Sequence, residues 1–126
     1  MANPIVHFEI IGRDPAKLRA YYKQLFGWDA NTHSVVAPEI SQAGQYGFID
    51  AVKGGAAIPG GIGGGESFTP HTVFYVGVPD VGAALDKAVS LGGKRVLGPV
   101  SKPDRSLTVA QFADPEGNVI GLAGPR

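Results

Sequence analysis

The 126-residue chain carries 11 basic and 11 acidic residues, so its net charge is zero and nothing points to nucleic acid or an anionic membrane as partner. It contains no cysteine, which excludes disulfides, thiolate nucleophiles and cysteine-ligated zinc together. No apolar run approaches the roughly 20 residues that a membrane helix needs, and the opening "MANPIVHFEI" has no basic stretch followed by an apolar core, so a cytoplasmic location is expected. The length suits one compact domain with its own core, residues 1–126. Nineteen glycines are many against an average usage of about 7%, and they have to be explained by position.

"PIVHFEII" (Pro4 to Ile11) is apolar and β-branched and predicts a strand. Asp14 then fits a helix N-cap, with Pro15 at the first helical position. Leu18, Tyr21, Tyr22 and Leu25 recur at helical spacing, and Gly27 is a natural C-terminal cap. Trp28, just beyond, reads as core or interface. Weaker strands are expected around Ser34-Val35-Val36 and over Gly44 to Val52.

"GGAAIPGGIGGG" (Gly54 to Gly65) reads as a flexible strand or loop. It does not spell G-x-x-x-x-G-K-[ST] and no helix start follows it, so phosphate binding is not expected. Its glycines instead let backbone approach a ligand or partner chain, or form a mobile loop. His71 to Val78 is a strong strand, and Asp80 caps a second helix with an apolar stripe of Val81, Ala84, Leu85 and Ala88, ended by Gly92-Gly93. Short strands around Arg95 to Leu97 and Ser106 to Ala113 lead to the turn Asp114-Pro115-Glu116-Gly117. There proline presets φ, glycine accepts positive φ and Asp114 can bond backbone two residues on. The last strand, Val119, Ile120 and Leu122, is interrupted by Gly121. Ser101, Ser106 and the histidines show no nucleophile–base spacing, and Arg105 reads as a solvated loop residue.

The halves run in parallel: strand, aspartate cap, and helix ending in glycine begin at Ile5 and again at Thr72. This predicts an α+β fold of two tandem β-α-β-β-β modules, about 4–62 and 70–124, each burying one helix on one face of its sheet. A ferredoxin-like β-α-β-β-α-β sandwich has the same two helices but fewer strands. Eight strands favour the duplicated modules; four overturn them.

"HFEIIGRDPAKLRAYYKQLFGW", "VPDVGAALDKAVSLGGK" and "DPEGNVIGL" together resemble the vicinal-oxygen-chelate superfamily of glyoxalases, bleomycin-resistance proteins and extradiol dioxygenases. The resemblance implies a curled, cavity-enclosing mixed sheet, often in a homodimer. It leaves the chemistry open, because one scaffold hosts isomerases, dioxygenases, epimerases and non-catalytic binders. Metal-using members take histidine and glutamate ligands from the first and last strand of each module. In the first strand the histidine stands seven residues before the capping aspartate, which is His7 here; the second module has Val73 at that place. His71 lies two residues earlier on the same strand face, about 6.6 Å along. The family's glutamate after "DPxGN" falls on Gly121, and the matching strand of the first module, within "AAIPGGIGGG", holds no Asp, Glu or His.

One ligand position of four is kept, and a divalent ion needs several converging oxygen or imidazole donors. A metal-free binding protein for a small, partly apolar molecule is therefore expected, with no cofactor, as a homodimer. The alternative is a lyase, isomerase or dioxygenase using a divalent metal on an improvised set of His7, Glu9 and His71; between the two lies a metal-free enzyme with His7 or Glu9 as base. Alternation places Ile5, His7, Glu9 and Ile11 on the cavity face, with Val6, Phe8 and Ile10 toward the helix. Tyr46, Phe48, His71, Val73, Tyr75 and Gly121 complete the cavity candidates.

Overall fold

The computed structural model describes residues 2–51 and 56–126, which form two compact units. The first is His7–Thr72; the second joins the residues up to Val6 to Val73–Arg126.

The first unit holds β1 (Ile5–Gly12, from His7 on), α1 (Pro15–Phe26), β2 (Ala30–Asn31), β3 (Gly47–Ile49) and β4 (Gly60–Gly64). Asp14 caps α1 by accepting from the Lys17 N–H at 3.1 Å, Pro15 stands in its first turn, and Gly27 closes it in the left-handed conformation at φ 75°. β1 runs parallel to β4, β4 antiparallel to β3, and β3 antiparallel to β2. Ile11, Ile49 and Ile62 are fully buried in this unit. Trp28 is half-buried and packs on Phe8, Tyr22 and Phe26 with ring centroids 4.9 to 5.7 Å away, in keeping with the core reading.

The second unit repeats the plan with β5 (His71–Gly77, from Val73 on), α2 (Val81–Ser90), β6 (Lys94–Ser101), β7 (Thr108–Ala113) and β8 (Val119–Gly124). β5 is parallel to β8, β8 antiparallel to β7, and β7 antiparallel to β6. Asp80 caps α2 by accepting from the Ala83 N–H at 3.0 Å. Val81 and Leu85 of its stripe close a core with Val78, Ala110 and Leu122. Before β8, Asp114 accepts from the N–H of Glu116 and of Asn118, each at 2.9 Å, which is the turn chemistry the sequence predicts. Eight strands among the described residues leave the four-stranded ferredoxin-like alternative behind.

Three expectations change. Ser34-Val35-Val36 is not a strand: Val35 is exposed, with no sheet face to bury it, and the ladder is made instead by Ala30–Asn31 directly after α1. The strand expected over Gly44 to Val52 contracts to Gly47–Ile49, since Gly44 turns the chain at φ 77°; Val52 lies outside the described residues. Of the two readings of the glycine-rich segment, strand or loop, Gly60–Gly64 takes the strand, but fully buried between β3 and β1 rather than as a mobile cover, while Gly54 and Gly55 lie outside the described residues.

Candidate functional site

Alternation along β1 puts His7 and Glu9 on one face. Register carries that face across the first unit: Glu9 lies opposite Gly61, and Gly61 opposite Phe48 on its other side. Tyr46, two residues before Phe48, shares this face. Its hydroxyl donates to Glu9 Oε2 at 2.9 Å and lies 2.8 Å from His7 Nε2. A phenol has one proton to give, so with that proton on Glu9 the His7 Nε2 is the protonated nitrogen and donates to the Tyr46 oxygen. Burial pushes the His7 pKa down to about 4, since an imidazolium there would lose its hydration, and the ring is neutral at pH 7. Glu9 and Tyr46 are both buried. The Phe48 ring is nearly parallel to that of His7, at 6.3 Å and 11°.

The glycines of β4 make this arrangement possible. A Cβ on Gly61 would overlap the Tyr46 hydroxyl, and one on Gly63 would come within 2.7 Å of the Tyr46 ring. The close approach expected of these glycines is therefore made by a side chain of the same unit, lying over Gly61 and Gly63, which carry no side chain on that face of β4.

The second unit repeats the device at equivalent register. Tyr75 lies opposite Gly121 on one side and Gln111 opposite it on the other. A Cβ on Gly121 would run into the Tyr75 ring, and Gln111 Nε2 donates to the Tyr75 hydroxyl at 2.9 Å, both residues being buried. Where metal-using relatives of the resemblance carry a carboxylate, this chain carries a glycine with a tyrosine ring laid across it.

The structure thus joins His7, Glu9, Tyr46 and Phe48 in the first unit, and Tyr75, Gly121 and Gln111 in the second. Val73 packs in an apolar cluster with Tyr75 and Ala123. His71 stands apart from His7 and Glu9. It is exposed at the start of β5, its Nδ1 is 2.7 Å from the Thr69 carbonyl oxygen, and it lines a groove of about 600 Å³ with Arg13, Lys17 and Tyr21. Among the described residues, no group of three or more His, Cys, Asp or Glu side chains is placed to hold a metal ion. The improvised set of His7, Glu9 and His71 is accordingly not assembled, because His71 lies at a different place on the first unit.

Gln111 escaped the sequence reading. Its signal is a polar residue inside the apolar run Thr108–Ala113, where a buried amide has to find a partner.

Two tandem β-α-β-β-β modules define a class of protein. The chain belongs to the Glyoxalase/Bleomycin resistance protein/Dioxygenase superfamily, whose family model matches residues 4–122. Among solved structures, it is similar to methylmalonyl-CoA epimerase of Streptomyces coelicolor in complex with 2-nitronate-propionyl-CoA. The identity is 15% over 98% of this chain and 95% of that one, with a TM-score of 0.69. The methylmalonyl-CoA epimerase of Mycobacterium tuberculosis is 15% identical over 97% of this chain and 87% of that one, TM-score 0.67. A hypothetical protein of Bacillus halodurans C-125 is 12% identical over 98% and 95%, TM-score 0.68. At such identities the likeness shows the fold alone. No sequence among the curated proteins matches the chain.

Proposed function

We propose that the chain binds a small, partly apolar molecule without a metal ion, with His7, Glu9 and Tyr46 as its polar anchor and Phe48 as an aromatic wall. The observation that carries this reading is the pair of glycines, Gly61 and Gly121, each covered by a tyrosine ring where an oxygen donor for a metal would have to stand. What remains is a neutral imidazole, a phenol and a buried carboxylate. These groups orient a ligand by hydrogen bonds, while the rings beside them supply apolar contact. The same fold holds a small molecule in the Streptomyces coelicolor epimerase, whose structure contains 2-nitronate-propionyl-CoA. Tyr75 with Gln111 is a second candidate anchor, in the other unit.

The test is a thermal-shift screen of small aromatic and carbonyl compounds, with methylmalonyl-CoA among the probes, on the wild-type chain and on Tyr46→Phe. A compound that raises the wild-type midpoint and loses that effect in Tyr46→Phe supports the reading, because a ligand of the native state stabilises it. Metal analysis of untagged protein purified without chelator tests the other half. A stoichiometric divalent ion that disappears in His7→Gln overturns metal-free binding and favours a metal-dependent lyase, isomerase or dioxygenase.

A metal-free enzyme with His7 or Glu9 as base is the second reading, favoured by one observation: an imidazole and a buried carboxylate meet at the Tyr46 hydroxyl. Turnover abolished by His7→Gln, with ligand binding kept, would establish it. A cytoplasmic homodimer is proposed as well, since α1 presents Tyr21, Leu25 and Phe26 more than half exposed, apolar surface of the kind a second copy covers.

A further inference from the structure

Resting on the reading of His7, Glu9 and Tyr46 as the anchor, we infer that Arg19 is a positioning residue for that site: from α1 it fixes the backbone on both sides of Tyr46 and so holds the phenol on His7 and Glu9. Arg19 Nη1 donates to the Gln45 carbonyl at 2.7 Å, and that carbonyl belongs to the peptide joining Gln45 to Tyr46. On the other side of Tyr46 the arginine stem runs against the backbone of Gly47. A Cβ there would lie 2.6 Å from Arg19 Cδ and 2.9 Å from the Ala30 Cβ, so glycine is what lets the stem pass.

Tyr46 stands just ahead of the β3–β4 ladder, which begins at Gly47, and the Arg19 contact falls at that entry. Behind it, Gln45 N–H donates to the Gln42 carbonyl at 3.1 Å, a turn whose Gly44 sits at φ 77° with open space around it. The turn before it is tied to β4, where Gln42 N–H donates to the Gly64 carbonyl at 2.9 Å, and the Arg19 contact ties the following peptide to α1. A guanidinium stays charged at any ordinary pH, and its bond to a half-buried carbonyl is stronger than a neutral one. Without it, the peptide that carries Tyr46 loses its tie to α1, and hydrogen bonds of 2.8 and 2.9 Å at the hydroxyl tolerate little displacement.

The experiment follows the His7 ring by long-range proton–nitrogen NMR in the full chain. In the wild type the ring is expected neutral with Nε2 protonated, titrating at about 4. In Arg19→Met, which keeps the stem and loses the donor, the midpoint climbs toward the ordinary 6.5 as water reaches the ring. The single tautomer is lost too, as it is in Tyr46→Phe. Arg19→Lys, which returns a donor, restores part of both. Gly47→Ala, which displaces the arginine from the other side, moves them in the same direction. Should Arg19→Met fail to fold, Arg19→Lys and Gly47→Ala carry the same readout.

A lowered melting temperature with an unchanged His7 midpoint and tautomer in every folded variant overturns the role of Arg19 and leaves it a purely structural residue. A wild-type His7 that titrates at 6.5 as a tautomer mixture sinks the anchor reading itself, a failure distinct from that of Arg19.

Discussion

At His7 a single side chain makes stability depend on pH. Its pKa falls from 6.5 to about 4 on folding, so between these values the unfolded chain binds a proton that the folded one refuses. Stability therefore falls as pH drops through this window, and the contribution levels off below about 4, where both states are protonated. The full displacement is worth about 3 kcal/mol. Urea titrations at pH 6.5 and pH 4 on the wild type and on His7→Gln are expected to show a steeper loss in the wild type, the difference isolating His7 from the carboxylates. Tyr46→Phe tests the same group from its partner's side. It removes the donor to Glu9 and the acceptor for His7, and is expected to cost about 1–3 kcal/mol at neutral pH by chemical denaturation. Gly121→Ala is the complementary change. Its Cβ enters the Tyr75 ring, and overpacking of this kind costs about 1–3 kcal/mol. A double-mutant cycle with Tyr75→Ala should recover part of that loss, since the obstructing ring is gone.

At the scale of elements, the two helices are legible because their ends are written in single residues. Asp14 and Asp80 each accept an N–H three residues on, and truncating either to alanine should cost about 1 kcal/mol, read from urea midpoints. Leu85→Ala should cost more, about 2–5 kcal/mol, because it opens a cavity among Val78, Val81, Ala110 and Leu122. The strands divide differently. β1, β5, β7 and β8 follow their β-branched and aromatic runs. β4 has no such run and is a strand only because its neighbours make it one: the ladders to β1 and β3 satisfy its backbone, and the rings of Phe8 and Tyr46 fill the space its glycines leave. Ser34-Val35-Val36 is the reverse case, a β-forming stretch with no partner strand.

For the whole molecule, the duplicated plan is the strongest regularity. Two units carry the same strand order and the same register relation, Glu9–Gly61–Phe48 in one and Tyr75–Gly121–Gln111 in the other. Light scattering on the purified chain is expected to return twice the mass of one chain, and a monomer at micromolar concentration would remove the homodimer. The sequence by itself determined the modules, because helix caps, strand propensity and the spacing between them act locally and recur at a fixed offset. It also determined that a carboxylate is missing at Gly121, since the absence of a side chain needs no structure to read. Only the tertiary structure decided what occupies the room so left. Tyr46 and Glu9 are 37 residues apart, and Tyr75 and Gln111 are 36 apart, so their hydrogen bonds depend on sheet register and on how closely a ring can lie on a glycine strand. Such contacts leave no local pattern; they exist only once the strands are paired.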